Sequence, residues 1–380
     1  MGMPILSDML VALAGVGVLY QGYALLALRQ FFTQPSVTPP PPESLTLIKP
    51  LHGHEPRLAE NLASFLAQDY GAPVQMLCGV NTPDDPATAA VRALAAAPPE
   101  AEIALHPGPR MPGANGKMGN CAAMLPLARH PILILSDSDM VVPPDYLTHI
   151  TATLAQPGVG AVSCLYVGRG DAGVWSQIGA TMISTQALPN MVVGVTSGLA
   201  QPCMGSTIAL RRETLDAIGG FAAFRDILAD DHAMGAAIHA LGLRVAIPPL
   251  VLVHAGAEGS ARALWRQHLR WAATVRDLAG PGHYGSVITH ALPLSLLASL
   301  LSPTIGVPLT IGAAMLRFAI ARQANRLAPA APVALWRVPA ADLFAFAIFC
   351  ASLFARKIDW RGARLTMTGQ GRIAAHKMED

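Results

Sequence analysis

The chain of 380 residues is 52% hydrophobic and only 13% charged, with a net charge of +2 when histidine is neutral. Its mean hydropathy of +0.41 is high for a wholly soluble protein, so we expect membrane segments. The near-neutral charge excludes the large basic surface of a nucleic-acid-binding protein. The five cysteines form no C-x-x-C pair, which argues against a disulfide framework and against a cysteine zinc site.

The first predicted element is a membrane anchor. Residues 9–28 carry no charge, and that length matches one transmembrane helix. No Lys or Arg precedes this run, whereas Arg29 follows it. We therefore expect an uncleaved anchor over residues 1–30, with its N-terminus outside and the bulk of the chain in the cytoplasm. The proline-rich residues 31–44 then form an extended, semi-rigid linker.

Residues 45–284 have the pattern of an α/β domain. Short apolar runs, among them "LTLIK", "VQMLCGV" and "ILILS", alternate with Ala- and Leu-rich helical stretches. This alternation is typical of a doubly wound, mainly parallel sheet. Because the ligands of such sheets bind beyond the carboxyl ends of the strands, we expect a site at that edge.

Two carboxylates follow the apolar run "ILIL" in the stretch "HPILILSDSDMVVPPDYL". Side chains two residues apart on an extended backbone point the same way, so Asp137 and Asp139 are predicted to face one spot. Like charges held that close need a compensating cation, and a divalent metal is the simplest candidate. Turn or cap residues would give the same pattern, because "PPDYL" predicts the start of a helix.

The motif "LADDHAMG" places Asp230 and Asp231 at the start of an alanine-rich helix. Asp is favoured at helix N-caps, which explains the pair without any catalytic function. Both roles can also coexist. One carboxylate then caps the helix, while the other faces a pocket and takes a proton from an attacking hydroxyl.

The motif "LWRQHLRW" places Gln267, Arg270 and Trp271 on one face of a predicted helix. Arg can offer a paired fork of donors to a diphosphate, and Trp can stack under a sugar or a lipid. A solvated basic helix near a membrane has the same composition, since Trp prefers the interface. The spacing alone leaves both interpretations open.

Two further signals are weaker on their own. "GANGKMGNC" is a Gly-rich loop with one base, Lys117, and it matches neither a Walker sequence nor the G-x-G-x-x-G fingerprint. This composition is typical of a loop that binds a phosphate or the edge of a nucleotide, and it is equally typical of a plain surface loop. His254 in "VLVHAG" fits a third metal ligand or, more simply, a hydrogen-bonded core histidine.

Residues 285–380 are predicted to hold membrane segments and a basic cytoplasmic tail. Residues 285–320 contain a single charge, Arg317, and are long enough for a hairpin of two short spans broken at Pro303. The apolar run 340–355 contains Asp342 and is short for a span, so we expect it to lie in the interface or to re-enter. Basic residues indicate that both flanks of this run are cytoplasmic: Arg322, Arg326, Arg337, Arg356, Lys357, Arg361 and Arg364.

Taken together in chain order, "KPLHGHEPRLAENLASFLAQDY", "SDSDM", "LADDHAMG" and "RQHLRW" resemble the ceramide glucosyltransferase group of membrane glycosyltransferases over residues 45–284. The resemblance implies a GT-A-type nucleotide-sugar-binding domain on the cytoplasmic side of a bacterial inner membrane. It also implies transfer of one sugar from a UDP-sugar to a membrane lipid with inversion. Within the group, "KPLHG", "CLYVGRG" and "SVITHALPLSLLA" look closest to the hopanoid-biosynthesis-associated glycosyltransferases. That subgroup implies transfer of N-acetylglucosamine from UDP-GlcNAc to bacteriohopanetetrol, and ceramide with UDP-glucose is the alternative.

The resemblance also implies roles for single residues. Position by position, it makes Asp137 and Asp139 the ligands of a Mg²⁺ or Mn²⁺ that offsets the leaving UDP. It makes Asp231 the catalytic base, with Asp230 as the next candidate. Four further positions match substrate-binding elements of the family: Lys117 where the family has a Lys before an Asn, and Gln267, Arg270 and Trp271 of the Q-x-x-R-W element.

One departure from the family concerns the donor. The family has an acidic residue after the second strand that contacts uridine, whereas "GVNTPDDPA" has Thr82 at that place. Either Asp84 or Asp85 can substitute, or Asn81 and the backbone can hold the uridine. Thr82 also keeps open a non-catalytic scaffold with a degenerate site. A processive polysaccharide synthase shares two of the motifs, but the tail offers too few spans for an obvious polymer channel.

Overall fold

The structure is a computed structural model that describes residues 2–35, 37–96, 102–355, 357–360, 363–369 and 372–375. Its strands are β1 (Leu45–Pro50), β2 (Val74–Gly79), β3 (Glu102–His106), β4 (Ile132–Leu135), β5 (Met140–Val141), β6 (Val159–Val162), β7 (Leu165–Gly170), β8 (Ile208–Arg211), β9 (Arg244–Ala246), β10 (Val251–Gly256), β11 (Lys357–Trp360), β12 (Ala363–Gly369) and β13 (Arg372–Ala375). Its α-helices are α1 (Gly2–Phe31), α2 (Leu58–Ser64), α3 (Ala87–Ala96), α4 (Gly116–Met124), α5 (Tyr146–Leu154), α6 (Val174–Met182), α7 (Leu188–Thr196), α8 (Arg212–Ala217), α9 (Asp230–Ala240), α10 (Ala261–Ala279), α11 (Pro281–Gly285), α12 (Ala291–Leu301), α13 (Pro303–Leu327) and α14 (Val338–Ser352). A π-helical turn (Ile183–Ala187) joins α6 to α7.

The main sheet has the strand order β3-β2-β1-β4-β8-β6-β9. β1 pairs in parallel with both β2 and β4, whereas β8 runs antiparallel to β4 and β6. The strand order therefore reverses between β1 and β4, which is where open α/β sheets bind their ligands. This mainly parallel sheet confirms the predicted α/β class.

Both faces of the main sheet are packed against buried apolar side chains. Successive residues of its strands are therefore apolar. On β1, Leu47 belongs to a buried cluster with Phe65, while its neighbour Ile48 belongs to the cluster on the other face with Met118. Parallel strands buried on both sides have nearly continuous apolar sequences, which explains the run "LTLI". The two carboxylates Asp137 and Asp139 accordingly come after β4 and not within it.

A second sheet, with the strand order β5-β10-β7, was not predicted from the sequence. The short strand β5 begins directly after Asp139 and pairs antiparallel with β10, which brings His254 opposite Met140. Helix α6 lies very close to β7, because a Cβ on Gly168 would be 2.4 Å from Ala180 Cα. This sheet connects the predicted metal motif to a distant part of the chain.

In the described part of the chain, three helical segments are long and apolar enough to cross a membrane: Ile5–Phe31, Pro303–Leu327 and Leu335–Ser352. The number rises to four if Pro281–Thr289 and Ala291–Leu301, which meet at 69°, form one bent span. These helices agree with the expectation of a membrane protein.

Two details of the C-terminal helices differ from the sequence prediction. The break at Pro303 is present, but the helix that begins there has 25 residues and is not a short span. The last apolar run was predicted to be too short to span. A 3₁₀ turn over Leu335–Arg337 precedes α14, and the combined helix has 18 residues. The proline at the start of α14 is compatible with this continuous helix, because the first helical N–H groups need no intrahelical partner.

The membrane helices pack directly against the α/β part of the protein. Leu28 of α1, Ile320 of α13, Val192 of α7 and Val167 of β7 belong to one buried apolar cluster. Strands β11 to β13 form a separate antiparallel sheet in the region predicted as a basic tail. Arg356 and Arg361 of that tail lie outside the described residues.

Candidate active site

The candidate site lies where β1 and β4 end. Asp137 is two residues beyond β4, and its N–H donates to the Gly205 carbonyl with an N···O distance of 3.1 Å. A turn at Ser138 and Asp139 follows, so the extended backbone assumed from the sequence ends before the two carboxylates. Their charges still interact. Burial, opposed by Lys117 and assisted by the charge of Asp139, raises the pKa of Asp137 above its usual value.

Lys117 lies between the two acidic motifs. Its Nζ is 2.6 Å from Asp137 Oδ1 and 3.4 Å from Asp230 Oδ2. Lys117 is in the first turn of α4, where the side chain of the cap residue Asn115 accepts hydrogen bonds from the N–H groups of Lys117 and Met118. Burial lowers the pKa of Lys117, but the two carboxylates outweigh that effect and hold it well above the usual value. The Gly-rich loop therefore places a charged lysine in the site.

Asp230 and Asp231 begin α9, but neither is its N-cap. That position is Ala229, which provides no side-chain bond, so the predicted carboxylate cap is wrong. Asp230 is buried, and its Oδ1 accepts a hydrogen bond from Asn115 Nδ2 at 3.0 Å. Asp231 Oδ2 accepts from the Gly205 N–H at 3.1 Å. Burial and the adjacent charge of Asp230 raise the pKa of Asp231 to about 6, which suits a general base at neutral pH.

His254 on β10 is the partner of Asp139, with Nε2 at 3.2 Å from Asp139 Oδ2. Burial raises the pKa of a carboxyl group, but the imidazolium outweighs it and lowers the pKa of Asp139. Burial lowers the pKa of an imidazole, but Asp139 outweighs it and raises the pKa of His254 to about 9. His254 is thus a buried histidine, as one sequence interpretation expected, and it is also charged and paired with the predicted metal motif.

The residues present fit a divalent cation. Asp139 Oδ1 is buried without a hydrogen-bond partner, and the Asp137 side chain is 37% exposed. A Cβ at residue 205 would lie 2.6 Å from Asp137 Oδ2, so Gly205 leaves space beside this oxygen. Carboxylate oxygens are the ligands that Mg²⁺ and Mn²⁺ prefer. Among the described residues, no group of three His, Cys, Asp or Glu is arranged to hold a metal ion.

The segment after β2, at one edge of the site, is the part of the chain that was predicted to bind uridine. Asn81 Oδ1 is buried without a hydrogen-bond partner, whereas Thr82 and Asp84 are exposed. Asp85 is buried, and its carboxylate accepts backbone N–H bonds at 2.9 and 3.0 Å and lies 3.3 Å from His52 Nδ1. The carboxylate of Asp85 therefore stabilises the two loops at this edge. Asn81 thus offers a buried acceptor without a partner at this edge, whereas the oxygens of Thr82 and Asp84 face solvent.

Helix α10 carries Gln267, Arg270 and Trp271, as the sequence predicted. Arg270 Nη2 donates to Gln267 Oε1 at 3.2 Å. The Trp271 ring lies edge-on to the His254 ring, with centroids 5.9 Å apart, so α10 reaches the site on that side. His268 packs against Trp271, and burial lowers the pKa of His268 to about 3. This histidine is therefore neutral at pH 7.

Two side chains in the site were not singled out by the sequence. Lys49 on β1 is fully buried, and its Nζ donates to Ser136 Oγ at 2.9 Å and to the Asp137 carbonyl at 3.1 Å. Tyr166 on β7 has its ring centroid 5.8 Å from that of His254. Burial, together with the nearby carboxylates, raises the pKa of Tyr166 above its usual value. A lysine at a strand end normally reaches solvent, so no local signal predicts the burial of Lys49.

Comparisons with known proteins identify a family and two curated relatives. The family model described as glycosyl transferase family 21 matches residues 9–373. Ceramide glucosyltransferase 1 of Caenorhabditis elegans is 24% identical over 268 residues, covering 69% of this chain and 57% of that protein. Ceramide glucosyltransferase 3 of the same organism is 25% identical over 237 residues, covering 60% and 49%. The chain thus spans about half the length of the curated relatives it matches.

One solved structure is similar over nearly the whole chain. It is a mannosyltransferase from Pyrobaculum calidifontis in complex with GDP-Man and Mn²⁺, with 21% identity and a TM-score of 0.52. The alignment covers 93% of this chain and 99% of the mannosyltransferase. This likeness confirms the predicted GT-A-type fold.

Proposed function

The chain belongs to glycosyl transferase family 21, and on that premise we propose that it transfers one sugar from a UDP-sugar to a hydroxyl group of a membrane lipid with inversion. The observation that carries the proposal is the division of the acidic site. In the metal motif, Asp139 Oδ1 has no hydrogen-bond partner and Gly205 leaves space beside Asp137 Oδ2, while Asp231 lies on another element and has a pKa of about 6. Inversion by direct displacement needs these two functions in different places.

The proposed donor side consists of the metal motif, Lys117 and the edge after β2. Asp137 and Asp139 would hold a Mg²⁺ or Mn²⁺, and a metal bound there would supply positive charge to stabilise the departing UDP. The Lys117 ammonium contributes a second positive charge beside the same carboxylates. Asn81 Oδ1, a buried acceptor without a partner, suits the imide N–H of uracil.

The proposed acceptor side consists of Asp231 and α10. Asp231 takes the proton of the attacking hydroxyl, and the Gly205 N–H bond keeps its carboxylate in place. Asp230 is less suited to this role, because its carboxylate is ion-paired with Lys117, whereas the Asp231 oxygens accept neutral N–H groups of Gly205 and His232. One face of α10 carries Gln267, Arg270 and Trp271. On this face, Arg270 can bind the diphosphate and Trp271 can stack against the sugar or the lipid.

The proposed acceptor is bacteriohopanetetrol, with N-acetylglucosamine supplied by UDP-GlcNAc. The motifs "KPLHG", "CLYVGRG" and "SVITHALPLSLLA" support the hopanoid acceptor by resemblance. Transfer of glucose to ceramide is the second candidate, because two relatives carry the name ceramide glucosyltransferase. Both acceptors are membrane lipids with free hydroxyl groups, so the same base serves either one.

The proposed arrangement in the membrane follows the helices. Residues 1–30 form the anchor, 31–44 the linker, 45–284 the cytoplasmic transferase domain and 285–380 the C-terminal membrane segments with the basic tail. Leu28 packs in one cluster with Val167 of the α/β part, which supports a transferase domain held against the membrane. The proposed location is the bacterial inner membrane with the catalytic domain in the cytoplasm.

The proposal is tested with the purified full chain in lipid vesicles. UDP-GlcNAc and UDP-glucose are each combined with bacteriohopanetetrol and with ceramide in the presence of Mn²⁺ or Mg²⁺, and the products are analysed by mass spectrometry. The expected product is bacteriohopanetetrol carrying a single N-acetylglucosamine. Glucosyl ceramide as the main product would establish the second candidate. A ladder of sugars would indicate a polymerising synthase, and the absence of both turnover and UDP-sugar binding would indicate a scaffold.

A further inference from the structure

Lys49 is an ionisable side chain inside the sheet, with 0% of its surface exposed, and burial lowers its pKa to about 7. Burial of an ammonium group is costly unless its donors are used. Its neighbours Leu47 and Ile48 are core residues on the two faces of the sheet, and a methionine would fill the strand position without that cost. Packing alone therefore does not explain the lysine.

The ammonium group of Lys49 binds the segment that carries the metal motif. Its Nζ donates to Ser136 Oγ at 2.9 Å and to the Asp137 carbonyl oxygen at 3.1 Å. The ring of Phe65 covers the ammonium, with Nζ 3.1 Å from the ring centroid. Both hydrogen bonds thus go to the two consecutive residues that follow β4.

Asp137 is consequently held on both sides. Its N–H donates to the Gly205 carbonyl at 3.1 Å, and its own carbonyl accepts from Lys49. With both flanking peptide groups fixed, only the side-chain rotations of Asp137 remain to set the direction of its carboxylate. We propose that Lys49 is a positioning residue which, through this clamp, holds Asp137 in the direction that binds the divalent metal and the donor diphosphate. This inference rests on the proposed function, because it uses Asp137 as a metal ligand.

A positioning role and a purely structural role predict different results. If Lys49 only stabilises the fold, its loss lowers the unfolding temperature and the active fraction, but the molecules that remain folded bind metal normally. If Lys49 positions Asp137, the folded molecules themselves bind metal more weakly. Residues that orient a metal ligand typically contribute roughly 10–100-fold to metal affinity.

The test compares Mn²⁺ affinity in the presence of saturating UDP for three variants of the full chain in detergent, together with their unfolding temperatures. Lys49→Met keeps the length of the side chain and removes both hydrogen bonds, so we expect Mn²⁺ to bind roughly 10–100-fold more weakly. Ser136→Ala removes one bond and should have a smaller effect in the same direction. Phe65→Leu is the matched control, since it removes the ring contact and leaves both bonds, and its Mn²⁺ affinity should stay within about twofold of wild type.

The outcomes separate this inference from the proposed function. Equal Mn²⁺ affinity for Lys49→Met and wild type would overturn the role of Lys49 alone. If Lys49→Met does not fold, unchanged affinity in Ser136→Ala would overturn it. An equal loss of affinity in Phe65→Leu would show that general disruption of the core is the cause. If wild type binds neither Mn²⁺ nor UDP, the proposed function fails first and the inference fails with it.

Discussion

Two buried ion clusters of this protein differ in how completely their polar atoms are paired. Between the membrane helices, Arg317 Nε donates to Asp342 Oδ2 at 2.7 Å, and Nη2 donates to both Asp342 Oδ1 and Thr185 Oγ1. The Arg317 guanidinium therefore forms a bidentate ion pair with the Asp342 carboxylate. Both side chains are buried, so the cluster is complete without any ligand.

The cluster at the strand ends is incomplete by comparison. Lys117 faces two carboxylates, Asp137 and Asp230, and Asp231 lies beside them. Asp139 Oδ1 is buried without a hydrogen-bond partner. A complete buried pair holds helices together, whereas an acidic cluster with unpaired oxygens is a site for a positive ligand. Substitutions should therefore affect stability in the first cluster and ligand binding in the second.

The largest effect on stability is expected for Asp342→Ala. The change leaves the Arg317 guanidinium unpaired among apolar helices, which should lower the free energy of unfolding by about 3–5 kcal/mol. Thermal unfolding in detergent measures this effect. The matched control is the double variant Arg317→Leu with Asp342→Leu, which removes both charges and should recover most of the loss. If Asp342→Ala unfolded like wild type but no longer bound metal, the assignment of a stabilising role to the Arg317–Asp342 pair would be contradicted.

Asp137→Ala should produce the opposite pattern. Loss of a metal ligand should weaken metal-dependent UDP-sugar binding and reduce turnover by about 10³-fold or more. Its side chain is 37% exposed, so its pair with Lys117 should contribute less than about 1 kcal/mol to stability. Donor affinity by calorimetry, transfer rate and unfolding temperature are measured on the same preparation. A protein that unfolds easily but transfers sugar normally would contradict the assignment.

The sequence predicted the parts of the fold that depend on local pattern. The apolar runs "LTLIK", "VQMLCGV" and "ILILS" correspond to β1, β2 and β4 within one residue at each end, and the helix after "PPD" begins at Tyr146. The helix at Asp230 begins where its motif indicated. Each of these features is encoded by residues that are close together in the chain, so periodicity and turn chemistry suffice to locate them.

The contacts that build the site could not be predicted in this way. His254 reaches Asp139 because β5 and β10 pair across more than a hundred residues, and a two-residue strand leaves no periodic signal. Lys49 in "LTLIK" has the sequence context of a solvated strand end, yet its Nζ donates a hydrogen bond to the Asp137 carbonyl oxygen. Asp85 was a candidate for uridine, but its carboxylate is used by backbone N–H groups and His52. Such pairings depend on tertiary structure and not on local sequence.

A smaller effect, which depends on pH, distinguishes the proposed base from the proposed metal ligands. Asp231 must be deprotonated to accept a proton, and burial with the Asp230 charge raises its pKa to about 6. Lys117, Asp137 and Tyr166 also face this carboxylate. With saturating metal and donor, the transfer rate should be flat near pH 7–8 and fall about tenfold per pH unit below about pH 6. Persistence of the same acidic limb in the residual activity of Asp231→Asn would assign it to another group.

The smallest expected effect concerns the donor edge. Thr82 is exposed beside Asn81, so Thr82→Asp should leave transfer intact or improve donor affinity by about two- to tenfold through one added hydrogen bond. Thr82→Val is the matched control, because this side chain of nearly the same shape adds no hydrogen bond at the same exposed position and should change nothing measurable. A collapse of UDP-sugar binding in a folded Thr82→Asp protein would show that this edge is arranged differently.

The division of labour between the two acidic motifs is tested most directly by Asp231→Asn. The amide keeps the shape of the side chain and can still accept the Gly205 N–H bond, but it cannot take up a proton. The measurement is UDP-sugar affinity by calorimetry beside the rate of lipid glycosylation, on wild type and variant. We expect nearly normal affinity and a rate lower by about 10²–10⁴-fold. Near-normal turnover would contradict the account and move the search for the base to Asp230.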